Sequence, residues 1–165
     1  MVDRWDPAGG NFPGLLGVPV SVHLDPIRTD RLAITTDQFR AYPEGFKAEL
    51  VAIARPGHKL DERGMHPDRT MGAGRLRIGL EFSDGRRGYL TRDIAPQGAF
   101  AIRYRGGGGS PFQIRMRLWV HATPAPGQMD LVVAWADEEL PETRLAIPTD
   151  GIIDAIKRVG PVWTD

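Results

Sequence analysis

Arginine is the residue type best placed for chemistry in this sequence. Arg75 and Arg77 stand two apart in one alternating segment, Arg115 and Arg117 in a second, and Arg103 and Arg105 in a third. Side chains two apart on a strand point to the same side. If these strands are neighbours in one sheet, they present a basic outer face with Trp119 on it. Such a face binds an anionic partner, either an acidic protein surface or single-stranded nucleic acid by stacking. The candidate binding residues are therefore Arg75, Arg77, Arg115, Arg117 and Trp119. The competing reading is an ordinary solvated face, balanced by Glu49 and Glu81, as antiparallel sheets usually show.

Other chemistries find less support, and no catalytic residue, metal ligand set or cofactor motif is assigned. The histidines are His23, His58, His66 and His121. His58 and His66 lie near Asp61, Glu62 and Asp68, which makes a labile metal site conceivable, but no zinc spacing is present. The acidic clusters lack the alternating oxygen ligands and central glycine of a calcium loop. Ser21, Ser83 and Ser110 are the only serines, and none sits in a G-x-S-x-G elbow. Gly106 to Gly109 is not a phosphate loop, because it lacks the Gly-Lys-Ser/Thr end and leads into no helix. With Ser110 and Pro111 it reads as a flexible joint between two strands.

The totals bound the answer further. The 165 residues suit one domain with a real core. Lys plus Arg number 21 and Asp plus Glu 21, so the formal net charge is zero. That balance argues against nucleic acid and favours another protein as the partner. There is no cysteine, so neither a disulfide framework nor a thiolate zinc site is available. Met1 to Val20 holds Asp3 and Asp6 without an apolar run, and no stretch approaches a membrane span of ~18 apolar residues. No membrane partner is expected, and a cytoplasmic location follows by elimination.

Period-two alternation supplies the elements that would position these side chains. It is cleanest from Arg75 to Ser83, with Leu76, Ile78, Leu80 and Phe82 inward. It is equally clear from Phe112 to His121, with Phe112, Ile114, Met116, Leu118 and Val120 inward. Weaker alternation covers Val18–Leu24, Leu32–Phe39, Phe46–Ile53, Phe100–Tyr104, Leu131–Trp135 and Thr143–Ile147. Pro43-Glu44-Gly45 reads as a turn between paired strands, and Asp84-Gly85 as a type I′ hairpin turn. A helix over 149–159 is expected, capped by Thr149 or Asp150, with Ile152, Ile153, Ile156 and Val159 on its docking face. Trp163 is its expected final anchor. The long segment 55–74 has the glycine and proline content of a functional or mobile loop.

Several stretches resemble a family of uncharacterised actinobacterial β-sandwich proteins of about this length. They are Asp30-Arg31-Leu32-Ala33-Ile34, Ala41-Tyr42-Pro43-Glu44-Gly45-Phe46, Phe82 to Arg87, and Trp119 to Arg144 with its end Leu140-Pro141-Glu142-Thr143-Arg144. The resemblance spans the chain from roughly Val18 onward. It implies no activity and transfers no catalytic residue.

The expected fold is all-β: an immunoglobulin-like antiparallel sandwich of about eight strands with one short C-terminal helix. An irregular segment 1–16 precedes a single domain, 17–165. The expected role is a non-enzymatic protein-interaction or assembly module acting through its polar sheet face. The alternative is an enzyme, or a small-ligand or metal-binding protein, with its site in the 55–74 loop.

Overall fold

In the computed structural model, residues 14–61, 75–90 and 97–164 are described. The strands are β1 (Leu15–Leu16), β2 (Val18–Val20), β3 (Ile27–Arg28), β4 (Leu32–Tyr42), β5 (Gly45–Ala54) and β6 (Leu76–Phe82). They continue with β7 (Arg87–Leu90), β8 (Phe100–Ser110), β9 (Gln113–Val120), β10 (Gln128–Trp135), β11 (Leu140–Pro148) and β12 (Gly160–Pro161). One helix, α1 (Asp150–Lys157), follows β11.

The chain is mainly β, as alternation predicts, but the pairing departs from two antiparallel sheets. One continuous ten-stranded sheet runs β11-β10-β6-β7-β8-β9-β5-β4-β2, with β3 also on β4. Among the described residues its one parallel joint is β7 with β8, where Gly88 lies opposite Phe100. A Cβ on Gly88 would fall 2.0 Å from the Phe100 ring. Glycine there leaves room for that ring to stack on Phe82, with centroids 4.5 Å apart. β1 and β12 form a separate two-stranded ribbon, so Leu15 and Leu16 belong to a strand rather than to an irregular tail.

The sheet curls so that strands from its two ends share one core. Leu131 and Val133 of β10 join the same buried cluster as Ile34 of β4 and Leu50 of β5. The space left inside is about 20 Å³, too little for anything larger than a water molecule. This part of the interior is a packed core, and the larger clefts among the described residues lie on the outer face.

Several local expectations need correction. The run Gly106–Gly109 is not a flexible joint; it is the end of β8, paired with β9 through Gly107↔Met116 and Gly109↔Ile114. A Cβ on Gly107 would lie 2.2 Å from the Arg115 carbonyl oxygen, and one on Gly109 would lie 2.1 Å from that of Gln113. Glycine is required by this close approach, and Gly109 also has φ +148°. Gly109→Ala is accordingly expected to destabilise the fold by about 1–3 kcal/mol. The urea midpoint measures it, and an unchanged midpoint contradicts this account of β8. Phe112, expected inward, sits in the β8–β9 turn and is 55% exposed. The Asp84-Gly85 hairpin forms, but only Gly85 has positive φ, so the turn is not type I′.

The helix forms where the pattern places it and docks on β4 and β2. Ile152 and Ala155 are its fully buried residues. Thr149 does not cap it through its side chain: the hydroxyl donates to the Ala125 carbonyl at 2.6 Å. Asp150 accepts instead from the Gly127 N–H at 3.2 Å. Both bonds tie the helix start to the preceding loop. Trp163 is not an anchor, being 81% exposed.

A basic cleft as the candidate functional site

The outer face of β5 carries Lys47 and Glu49, because Phe46, Leu50 and Ala52 point into the core. β4 and β9 flank β5. Their registers place Arg40 and Trp119 beside Lys47, and Asp37 and Arg117 beside Glu49.

Two irregularities frame this face. On β4, three steps from Asp37 to Arg40 oppose two steps on β5, so one extra residue is inserted. Gln38 takes φ +47° there. The bulge returns Phe39 to the core and leaves Arg40 opposite Lys47. On β8, three steps from Tyr104 to Gly107 oppose two on β9. This second bulge carries Arg105. It also carries Gly106, where a Cβ would stand 3.2 Å from the Arg117 guanidinium.

The result is a cleft of about 860 Å³ lined by Arg40, Lys47, Arg105 and Arg117, with Tyr42 and His23 also on its walls. Two carboxylates share the lining, Asp37 and Glu49. Both are engaged by Arg115, which contacts Asp37 at 3.2 Å and makes a close ion pair with Glu49. These contacts hold the Arg115 guanidinium further above its usual range. Among the described residues, Arg105, Arg117 and Lys47 have no carboxylate at ion-pair distance. Arg40 donates to the Gly17 carbonyl at 2.8 Å, which draws the β1–β2 segment against the cleft.

The electrostatics follow from this arrangement. Burial pushes the Lys47 ammonium below the usual lysine range, and Arg105, Arg40 and Arg117 push it further the same way. The Lys47 nitrogen lies 5.0 Å from the centre of the Tyr42 ring. Burial raises the Tyr42 hydroxyl, with Arg40 opposing. A concave site holding four cations is prepared for an anion, since like charges there are relieved when one binds.

The residues expected from the sequence are divided by this geometry. Arg117 lines the cleft. Arg115 is committed to Asp37 and Glu49. Trp119 is on the outer face as expected but is wholly buried, so it offers no surface to a partner. It packs under Tyr42, with centroids 6.1 Å apart and ring planes near perpendicular, and Leu15 packs against the pair. Arg77 lies on β6, and Arg75 directly precedes that strand. Strands β7 and β8 stand between β6 and β9, about 14 Å along the sheet at ~4.8 Å per strand. The six arginines therefore do not form one face. Arg77 lines a separate, smaller cleft of about 320 Å³ with Arg87, Arg144, Glu81 and Glu142. There Glu81 bridges Arg87 at 3.4 Å and Arg144 at 3.3 Å, so much of the charge is internally matched.

Lys47, Arg40 and Tyr42 are the residues that the arginine pattern misses. A signal existed: a two-residue turn at Pro43-Glu44 places Arg40 opposite Lys47 by simple counting. The bulge at Gln38 hides it by breaking the alternation.

The 55–74 loop is described only to Asp61, so His66, Glu62 and Asp68 lie outside the described residues. Within its described part, His58 Nε2 meets Glu138 at 2.6 Å. Glu138 is 4% exposed and also accepts from the Asp61 N–H at 3.4 Å. This pair fastens the loop to the turn before β11. Among the described residues, no three metal-ligating side chains gather, and no helix is long and apolar enough to cross a membrane.

No protein family, no curated protein and no solved structure matches the chain in comparison with known proteins.

Proposed function

We propose that this chain is a non-enzymatic interaction module whose basic cleft receives an acidic segment of a protein partner. The observation that carries the reading is the convergence of Arg40, Lys47, Arg105 and Arg117 on one concave site whose two carboxylates are held by Arg115. Arginine presents paired N–H donors that match a carboxylate. A cleft with several such donors suits a segment carrying successive Asp or Glu side chains. The zero net charge of the chain keeps the field local to the cleft and supports a protein ligand over a nucleic acid, whose backbone calls for an extended basic surface.

The test is fluorescence anisotropy with a labelled glutamate-rich peptide at low and moderate salt. The wild-type chain binds it saturably, and binding weakens as salt rises. Arg117→Glu weakens binding by about tenfold or more, equivalent to ~1.4 kcal/mol. Arg77→Glu, in the other cleft, leaves it unchanged. A single-stranded oligonucleotide that outcompetes the peptide, or equal binding by Arg117→Glu, overturns the reading.

A further inference from the structure

Lys47 is the one amine in the cleft, and its surroundings suit a role beyond charge. It is half-buried, stands over the Tyr42 ring, and is flanked by guanidinium groups from three neighbouring strands. Arg40 comes from β4, Arg105 from β8 and Arg117 from β9. The other titratable groups facing it are Tyr42, His23, Asp37 and Glu49, and the two carboxylates are turned to Arg115. Lys59 and Lys157, the only other lysines, are exposed.

We infer that Lys47 is a covalent acylation site for acyl phosphates, and that its acylation releases the acidic partner. The inference rests on the cleft's proposed role for its regulatory half and on the cleft's geometry alone for its chemical half. The phosphate of the reagent carries the charge that Arg105 and Arg117 are placed to hold. That docking brings the acyl carbon beside the Lys47 nitrogen, and proximity then raises the rate. An amine acts as a nucleophile only when unprotonated, and neighbouring cations together with burial increase that fraction for Lys47.

The step balances without a further reactant. The lone pair of the neutral Lys47 amine adds to the acyl carbon, and a C–N bond forms. The bond from that carbon to the phosphate oxygen breaks, its electron pair leaving with phosphate. The amine proton passes to the departing phosphate, giving an amide and hydrogen phosphate. The product side chain is neutral, so the cleft loses one positive charge and the volume that an acidic side chain would fill.

The experiment treats the full chain with acetyl phosphate and follows acetylation of the three lysines by peptide mass spectrometry. Lys47 is expected to react about tenfold faster than Lys59 or Lys157. Added inorganic phosphate slows Lys47 selectively. Arg117→Gln and Arg105→Gln each bring Lys47 down toward the other two, and both changes are on the surface. Acetic anhydride, which has no phosphate to dock, shows less sensitivity to Arg117→Gln. Acetylation of Lys47 at or below the rate of Lys59 and Lys157 overturns the inference, as does selectivity that neither phosphate nor Arg117→Gln reduces. Peptide binding with an unreactive Lys47 leaves the docking role standing and removes this inference alone. Selective acetylation without peptide binding keeps the chemistry and removes the acidic partner. Where both hold, the Lys47-acetylated chain loses the glutamate-rich peptide.

Discussion

Trp119→Ala is expected to lower stability by about 3–5 kcal/mol, the cost of emptying a large fully buried aromatic site. Trp119 is 0% exposed, although it faces outward from the sheet and stands among polar positions in the sequence. Tyr42 leans on its ring, Leu15 covers it, and Gly45 approaches so closely that a Cβ there would be 2.9 Å from the indole edge. Removing the indole undermines Tyr42, and with it the support of Lys47. The milder Trp119→Phe therefore weakens peptide binding in a chain that still folds. Denaturant unfolding measures the first effect and anisotropy the second. A loss below ~1 kcal/mol in Trp119→Ala would mean that Trp119 is a surface residue after all.

Lys47→Met should act in opposite directions on stability and on binding. The Lys47 ammonium is partly removed from water and crowded by Arg105, Arg40 and Arg117, all of which disfavour its charge. Its folded value lies below its unfolded one, so between the two the unfolded chain binds more protons. Stability then rises with pH across that window and is lowest where Lys47 is fully charged. The window ends near 10.5, the ordinary lysine value. Tyr42 contributes the reverse slope above 10.0, because its folded value is raised. Methionine removes the Lys47 penalty. Tm near neutral pH should rise by about 1–2 °C, corresponding to ~0.5 kcal/mol once solvent screening is allowed for. The rise of stability with pH below 10 should flatten, and affinity for the glutamate-rich peptide should fall about tenfold. A functional residue whose removal stabilises the fold fits a site where like charges are assembled for a ligand. If Lys47→Met lowers Tm and keeps affinity, the lysine serves structure alone.

Much of this fold was legible because alternation survives wherever a strand has one buried face. Leu76, Ile78, Leu80 and Phe82 read directly as β6, and Ile152 follows from the helical period of α1, whereas the buried Ala155 was not on the expected face and Ile153, Ile156 and Val159 are only partly buried. The strand order was not legible, since pairing between β7 and β8 depends on the space left by Gly88 for the Phe100 ring. Nor was the glycine run, whose composition suggests freedom while it passes so close to β9 that a Cβ on Gly107 would lie 2.2 Å from the Arg115 carbonyl oxygen. The site was half legible. Arg117 and Arg105 stand out by their alternation, but Arg40 does not, because the residue inserted at Gln38 reverses the face that the alternation begun at Leu32 assigns to it. Trp119 was placed on the correct face, but its burial was not legible, because a period of two identifies the outer face without showing that another segment covers it.

The most direct test of the cleft is calorimetric titration of the glutamate-rich peptide just below pH 10.5, the ordinary lysine value, in two buffers of different ionisation enthalpy. A carboxylate entering among these cations raises the Lys47 value, so binding takes up protons there. A saturable single site is expected, with a heat that differs between the buffers by that uptake and a difference that is lost in Lys47→Met. A buffer-independent heat, or the same proton uptake in Lys47→Met, would place the acidic segment somewhere other than this cleft.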